Sequence, residues 1–519
     1  MTRWFLLILV VLIAYWALML AYLWQVPQPI TPLGLLWQLL LLPILCVGVL
    51  LSLRWGYRRL QRVRAQRAVE QSSEDANANL TPATEKPEAP WLSVLSSVQL
   101  SGLGEQSHAV IAALREHQAA VLDTVLVDYH GLPVLSRRVD LEFELADLMD
   151  CASQSPDWDA AAMADQPLHW SDRLQRVAAF TQRVLMQARP QLVGLAQGFE
   201  QIQVWQQRPA QHQAATLHPA WQQSFDASNR TASSTHADLA VPSAQAPQQL
   251  TVLHLIPADF EAADRYLLQQ IVASILHAQG IPQAAIVYQQ NIVAHADDCL
   301  QRLCSAIHQL HQQTQAGCLL ILGADSGMDQ AWLEQYQLRP AASNVTLGES
   351  AAAVLLASPN TTCALDVWCE LSRPMLAKRK KSITAVGQIS SERLLETLQQ
   401  VCETYQLNAE QLIDPEEETL FFSDAHSTAM QHVVELHQLI DQQFGRFPLQ
   451  QLMMNGLVTE QPSTLAPLLG LAQVTQHVRR LEQGYSPLFS HAGEFWRATW
   501  LARAVSESPP VSLSSQSID

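Results

Sequence analysis

Apolar residues along this chain fall into two long runs near its beginning and a series of shorter runs after them. The long runs cover residues 4–24 and 33–53, and neither contains a charged residue. Each is long enough for a helix to cross the hydrocarbon core of a bilayer. Pro43 in the second run is compatible with such a helix, because neighbouring groups re-satisfy the backbone carbonyl that proline leaves free. The pattern predicts a two-helix transmembrane hairpin in residues 1–67.

The basic residues around these runs predict the orientation of the hairpin. The connecting loop, residues 25–32, contains none. The exit of the second run carries a cluster of arginines: Arg54, Arg58, Arg59, Arg62, Arg64 and Arg67. Positively charged loops stay on the cytoplasmic side, so we expect a two-pass protein of the bacterial inner membrane that contacts lipid and holds most of its chain in the cytoplasm. A cleaved signal peptide fits the first run less well, because a second apolar run follows it closely.

The shorter apolar runs have the spacing of alternating helices and strands. Apolar positions three and four residues apart indicate helices, and short unbroken apolar runs bounded by glycine or proline indicate buried strands. Predicted helices cover residues 106–122, 173–198, 263–279, 298–315, 391–406, 428–444 and 465–483, and predicted strands cover 250–258, 318–324 and 419–423. Strands that alternate with helices form sheets covered on both faces. The predicted fold class is therefore α/β.

Three polar stretches interrupt this pattern. Residues 68–92 contain proline and lack apolar periodicity, so they are predicted to form a disordered tether between the membrane and the folded domain. Residues 207–249 are rich in Ala, Gln, Ser and Pro and are predicted to be a disordered insertion within one domain, which comprises residues 93–206 and 250–505. Residues 506–519 are predicted to be a disordered tail.

Charge and cysteine content restrict the functions open to the chain. The formal net charge is −17, although residues 1–67 contain no acidic residue. The rest of the chain is therefore strongly acidic, and no nucleic-acid partner is expected, because phosphate binding needs clustered Lys and Arg. The eight cysteines are scattered and form no C-x-x-C pair. Together with the cytoplasmic placement, this spacing predicts free thiols.

Four motifs in the second half of the chain resemble the thiolase-fold condensing enzymes, the β-ketoacyl synthases. The motifs are GCLLILGADSGMD (317–329), LGESAAAVLLA (347–357), DAHSTAMQHVVELHQLI (424–440) and STLAPLLGLAQVTQHVRRLEQG (463–484). They are similar, in this order, to the family's strand after the nucleophile helix, its Gly-Glu-Gly-Ala-Ala strand, its Ala-His-Gly-Thr loop and its last helix. Residues 102–135 resemble its opening strand and helix. The resemblance implies a thiolase-like layered α/β/α domain after the hairpin.

The resemblance also implies candidate catalytic residues. The synthases use a cysteine nucleophile with two histidines that stabilise the developing charge. Counting back from Gly323 places the nucleophile at Asp298 or Cys299. His426 matches the first histidine. Cys299 and His426 are therefore the candidate catalytic pair.

Several residues depart from the family pattern around this pair. Asp297 and Asp298 precede the candidate thiol, and neighbouring carboxylates raise the pKa of a thiol, which makes it a poorer nucleophile. Thr464 stands where the second histidine belongs, and the stretch LMMNGLV (452–458) lacks the family's lysine. These departures predict a degenerate active site.

We therefore predict a pseudoenzyme that acts as a binding or assembly module, in which His426 is a hydrogen-bonded relic. The alternative is an active acyltransferase or condensing enzyme that uses Cys299 or Cys304 with His426. An acyl carrier or an effector protein is the expected partner. Asp325 and Ser326, followed by AWLEQYQL, resemble a divergent branch of thiolase-like proteins, some of which are associated with type VI secretion effector clusters. The family also implies a homodimer formed through a shared strand.

No cofactor or metal ion is predicted. His426, His432 and His437 lack the i, i+4 spacing that places two zinc ligands on one helix face. Neither G-x-G-x-x-G nor G-x-x-x-x-G-K-[ST] occurs in the chain, so no nucleotide fingerprint is present. Ser326 is outside any G-x-S-x-G elbow and is expected to form a turn.

Overall fold

The computed structural model describes residues 90–128, 130–159, 170–212, 247–337, 346–361, 365–385, 389–413, 419–426, 429–445, 449–460 and 464–505. All belong to one compact unit, Glu88–Asp519, and the other unit is Met1–Pro87. The predicted hairpin, nearly all of the tether, the centre of the predicted insertion (213–246) and the tail (506–519) lie outside the described residues. Among the described helices, none combines the length and the apolar character needed to cross a bilayer.

The first half of the unit contains seven strands and seven helices within the described residues. They are β1 (Leu92–Ser101), α1 (Ser107–Arg115), β2 (Val121–Val127), β3 (Pro133–Arg137), α2 (Leu145–Ser153), α3 (Asp172–Gln187), α4 (Arg189–His212), β4 (Gln249–Pro257), α5 (Ala262–Ala278), β5 (Ile286–Val293), α6 (Ala296–Gln312), β6 (Gly317–Ser326), α7 (Gln330–Gln337) and β7 (Thr346–Ala357).

The second half continues with shorter strands. Its elements are β8 (Cys369–Leu371), β9 (Met375–Lys378), α8 (Glu392–Thr404), β10 (Phe421–Ser423), α9 (Met430–Gln443), β11 (Leu452–Met454), α10 (Gly456–Thr459), α11 (Ala466–Val478), β12 (Tyr485–Ser490) and β13 (Trp496–Arg503).

The strands form one mixed sheet in the order β11-β10-β12-β13-β8-β1-β7-β6-β4-β5, with β3 and β9 attached at the side of β7 and β13, and β2 paired to β3. The antiparallel pair of β1 and β7 lies in the middle, with Ser93 opposite Ala357 and Ser101 opposite Ser350. On one side of this pair, β4, β5 and β6 run parallel to one another. Their carboxyl ends therefore meet at one edge of the sheet.

Helices cover both faces of the central strands. Along β6, Leu319 and Ile321 belong to a hydrophobic cluster with α6 and α11, whereas Leu320 and Leu322 belong to a second cluster with α3 and α5. Successive side chains of a strand point to opposite faces, so a strand covered on both sides is apolar throughout. A third cluster lies between α8, α9 and the strands β10, β12 and β13. The predicted α/β/α layering is confirmed.

Most predicted elements agree with the structure to within a few residues, but three differ from it. The helix predicted over 106–122 ends at Arg115, and β2 begins at Val121, where valine and threonine favour a strand. The helix predicted over 173–198 is divided after Gln187, because Pro190 has no N–H to continue the helical hydrogen bonds. The opening strand is residues 92–101, before the stretch that resembles it. The strands β2, β3, β5, β8, β9 and β11 to β13 are not among the predicted ones.

Candidate functional site

The edge of the sheet where β4, β5 and β6 end encloses a cavity of about 800 Å³. Strand β7 begins at the same edge, because it runs antiparallel to β6 and places Glu349 opposite Ser326. The cavity is lined by residues that follow β4 and β5, by the start of α6, by α7 and by the loop before β13. The lining includes Asp297, Asp298, Trp332, Thr464, Gly493, Phe495 and Trp496.

The side chain of Asp297 joins the start of α6 to the loop that precedes β13. Its two carboxylate oxygens accept hydrogen bonds from the backbone N–H groups of Phe495 and Trp496, each at 3.0 Å. Gly493 is required for this approach, since any side chain there would collide with the Asp297 carboxylate. The negative charge also lies in the first turn of α6, where the helix dipole stabilises it. Two convergent amides and a helix terminus are thus occupied by the chain's own carboxylate.

The next residue, Asp298, bonds to the backbone just before the helix. The Asp298 carboxylate accepts a hydrogen bond from Ala294 N at 3.1 Å. This contact satisfies a backbone donor just before α6, as capping side chains do. Both acidic residues that precede the candidate thiol are therefore engaged with backbone amides.

A buried ionic network anchors the loop before β13 in the core. Arg497 and Glu435 are fully buried, and Arg497 Nε lies 3.0 and 2.9 Å from the two Glu435 oxygens. Burial acts to raise the pKa of Glu435, but His491 and Arg497 outweigh it and lower the pKa to about 2. Arg497 Nη1 donates to the carbonyl of Gly493 at 2.8 Å. The glycine that accommodates Asp297 is thus fixed by a charge pair in the core.

The candidate thiols lie in the hydrophobic core. Cys299 and Cys304 are buried in the cluster that also contains Leu303 and Leu468, and neither is among the described residues that line the cavity. Burial raises the pKa of both thiols far above the usual range, and for Cys299 the nearby Asp424 and Asp298 carboxylates add to this effect. The sequence predicted the direction of this shift from the neighbouring carboxylates, but burial is the larger cause. A thiol without thiolate character is a poor nucleophile.

His426 lies in the loop after β10 and contacts a buried carboxylate. Its Nε2 is 3.0 Å from Glu460 Oε2, and Arg137 Nε donates to Glu460 Oε1 at 2.8 Å. Glu460 has a φ of 44°, a left-handed conformation that is uncommon for a residue other than glycine. Gly456 has to be glycine, since a Cβ there would collide with the backbone of His426. His426 is not among the described residues that line the cavity.

The structure places the residues that replace family residues in two different surroundings. Thr464, at the position of the second histidine, lines the cavity. Asn455, which follows β11, is 2 % exposed, and its side-chain amide atoms have no hydrogen-bond partner within the described part of the chain. Neither residue supplies a cation or a general base. No described group of three His, Cys, Asp or Glu side chains is arranged to hold a metal ion.

Sequence reasoning missed the functional position of Asp297 and Glu460. In the sequence, Asp297 indicates only an effect on the pKa of the Cys299 thiol. Its contacts at Phe495 and Trp496 lie 198 and 199 residues away. An acidic residue in the first turn of a helix is an ordinary helix-start signal, so nothing local indicates a distant partner. For Glu460, the resemblance covers the flanking motifs but not this loop.

No protein-family model matches the chain, and no curated protein matches it. The ishigamide ketosynthase/chain length factor is similar at 12% identity and a TM-score of 0.44, over 79% of this chain and 99% of that one. The ketosynthase from module 1 of the bacillaene synthase from Bacillus amyloliquefaciens FZB42 is similar at 10% identity and a TM-score of 0.42, over 81% and 77%. A type II PKS acyl-carrier protein in complex with its ketosynthase gives 8% identity and a TM-score of 0.46, over 80% and 100%.

The three solved structures named above are ketosynthases or contain one, the class whose motifs the sequence resembles, and the likeness is one of fold alone.

Proposed function

We propose that the chain is a non-catalytic, ketosynthase-like binding or assembly module. The observation that carries this proposal is the Asp297 carboxylate, which accepts the backbone amides of Phe495 and Trp496. Acyl-transfer chemistry needs preorganised donors that are free to bind a developing oxyanion. Here a carboxylate of the chain itself occupies two such donors, and it would also repel a second anion.

The surroundings of the candidate nucleophiles support the same conclusion. Thioester attack needs an accessible thiolate, whereas Cys299 is fully buried and its pKa is raised. The second charge-stabilising histidine is replaced by Thr464. His426 is engaged with Glu460 at 3.0 Å. With these replacements the chain retains a cavity but not the groups that would carry a decarboxylative condensation.

The cavity and the N-terminal sequence support the kind of binding that we propose. A volume of about 800 Å³ lies in the range of small-molecule and acyl-chain sites, so an acyl carrier that presents its cargo, or an effector protein, is the proposed partner. The apolar runs at 4–24 and 33–53 and the arginines after them are the basis for proposing an inner-membrane anchor with the module on the cytoplasmic side. A link to type VI secretion is proposed on the sequence resemblance alone.

We also propose that two copies pair through β5. This strand ends the sheet, and its sequence IVYQQNIV contains no charged residue and no proline. Val287 and Ile292 expose 38% and 46% of their surface. Uncharged edge strands of this length are templates for pairing with another strand. Substituting Ile292→Lys should shift the full chain in detergent towards the monomer in light-scattering measurements, whereas Met430→Lys, on an exposed helix start, should not.

Intact-mass analysis tests the non-catalytic assignment. The full-length protein in detergent is incubated with acyl-CoA and with acyl carrier thioesters, and the wild type is compared with Cys299→Ala, Cys304→Ala and His426→Ala. We expect no acyl adduct in any of them, because both thiols are buried and carry raised pKa values. An adduct that forms in the wild type, disappears in one cysteine variant and forms more slowly in His426→Ala would establish the active-enzyme alternative instead.

A further inference from the structure

The hairpin formed by β2 and β3 carries a concentration of exposed aliphatic side chains. The exposed residues are Val121, Leu122, Val125, Val127, Leu132 and Leu135, each of them at least 37% exposed. We call this group the hairpin patch. Single exposed aliphatic residues are common, but contiguous exposed apolar surface on one element marks an interaction site.

The β2–β3 hairpin is anchored by a small hydrophobic cluster and by hydrogen bonds in its turn. Leu126 is buried with Met328, Leu333 and Leu347 in a small hydrophobic cluster. Asp128 closes the turn by accepting the amides of His130 and Leu132, each at 2.8 Å. The hairpin patch is therefore presented on a fixed element, so that little conformational freedom is lost when a partner binds.

Three consecutive backbone amides in the second half of β2 are already bonded to side chains, which leaves less of this strand for the addition of another strand. Asp123 Oδ1 accepts the amides of Val125 and Leu126 at 2.9 and 3.0 Å, and Gln330 Oε1 accepts the amide of Val127 at 3.2 Å. Edge strands are protected in this way when their amides are taken by other groups. We therefore expect recognition at the hairpin patch to come mainly from its side chains.

The hairpin patch lies next to the wall of the cavity. Gln330 also donates to the carbonyl of Val127 at 3.1 Å, which ties the hairpin to α7. Trp332, on the same helix, lines the cavity and packs against the small cluster under the hairpin. A partner bound to the hairpin patch would sit one helix away from the cavity.

The charges next to the hairpin in sequence restrict what can cover the hairpin patch. Exposed acidic residues flank the hairpin in sequence on both sides: Glu116 before it, and Asp140, Glu142 and Glu144 after it. Of the adjacent arginines, Arg137 is paired with Glu460 and Arg138 with Asp123. Arg115, before the hairpin, is exposed, so the four exposed acidic residues still outnumber the exposed basic ones. In a two-fold dimer through this surface the same acids would face one another, and an anionic bilayer would repel them. A partner with basic side chains around an apolar contact surface would be attracted.

We propose that the hairpin patch docks a protein partner that presents an apolar helix or loop bordered by Lys and Arg. This inference deepens the proposed function, on which it rests, by naming the surface and the chemistry of the partner. The partner would bind beside the cavity and not through strand addition.

Site-specific photo-crosslinking in the native cells tests the inference with the full-length protein. A photo-crosslinking amino acid is placed at Val125 or at Leu132, and at Met430 as a control on an exposed apolar residue outside the hairpin. We expect an adduct with a different polypeptide from the two hairpin positions and none from Met430. In the Glu142→Lys plus Glu144→Lys background the yield should fall roughly tenfold, the effect of about 1.4 kcal/mol.

A matched background, Glu392→Lys plus Glu403→Lys, makes the same charge change at exposed positions on α8 and should leave the yield unchanged. Four outcomes would each overturn the inference. They are an adduct of twice the chain's mass, an adduct with lipid, the absence of any adduct, and a crosslinking yield that is unchanged in the Glu142→Lys plus Glu144→Lys background. None of these outcomes depends on acyl transfer, so a failure here is distinguishable from a failure of the non-catalytic assignment.

Discussion

Asp297 and His426 occupy comparable positions, each just after a strand ends, yet they sit in different surroundings. Asp297 lines the cavity, and its carboxylate accepts hydrogen bonds from two backbone amides. His426 is outside the cavity lining and faces the buried carboxylate of Glu460. The residue that carries a family signature is therefore away from the cavity, and the residue without a signature organises it. A motif shared with a family therefore does not by itself place its residue at the cavity.

The loop that Asp297 contacts depends on the Arg497–Glu435 pair, and breaking that pair should have the largest effect. Arg497→Ala removes one of the two arginines that pair with the fully buried Glu435 carboxylate, together with the hydrogen bond to Gly493, and leaves Arg379 as the remaining arginine partner. We expect a loss of about 3–5 kcal/mol in the free energy of unfolding, the scale measured for broken buried ion pairs, in denaturant titrations followed by intrinsic fluorescence. Arg393→Ala removes a pair with Glu396 that is more than a third exposed and should change it little. Equal losses in the two variants would contradict the assignment of the network to the core.

Removing the Asp297 carboxylate should have the second largest effect on stability. Asp297→Ala deletes two charge-assisted hydrogen bonds between α6 and the loop before β13. We expect the free energy of unfolding to fall by about 2 kcal/mol, the scale of a hydrogen bond to a charged group, because water can replace the carboxylate at the exposed Phe495 amide but less well at the part-buried Trp496 amide. Asp297→Asn keeps one oxygen acceptor and should lose about half as much. If alanine and asparagine are equally stable, the carboxylate does not hold the loop.

Removing the His426 side chain should have the smallest effect. His426→Ala loses the contact with Glu460 but leaves Glu460 paired with Arg137. We expect a loss of about 1 kcal/mol in the free energy of unfolding, the scale of one hydrogen bond, with the cellular function retained. His426→Gln, which keeps a hydrogen-bonding side chain, should lie between alanine and the wild type. Loss of function in a fully folded His426→Ala protein would instead assign a chemical role to the histidine.

The two regions also differ in how far they were predictable. The strand before His426 and the helix after it follow from apolar runs and periodicity, and the structure gives β10 and α9 close to the predicted bounds. The start of α6 near Asp297 was predicted within two residues. The sequence leaves open whether Cys299 is a reactive thiol or a core residue, because a thiol at a helix start has the same local pattern whether it faces the core or a cavity. Its surroundings depend on Leu468, which lies far along the chain.

The sequence by itself determined the alternation of helices and strands, the continuous burial of β6, and the absence of the second histidine and the lysine from the family pattern. These features are local, since they depend on which residues stand next to one another and on the period of their apolar positions. Only the tertiary structure decided that Asp297 fills two amide donors from a loop 198 residues away, that Glu460 joins Arg137 to His426, and that the hairpin patch adjoins the cavity. Such contacts form when the assembled sheet brings distant loops to one edge. No local sequence pattern indicates which loops will be in contact there.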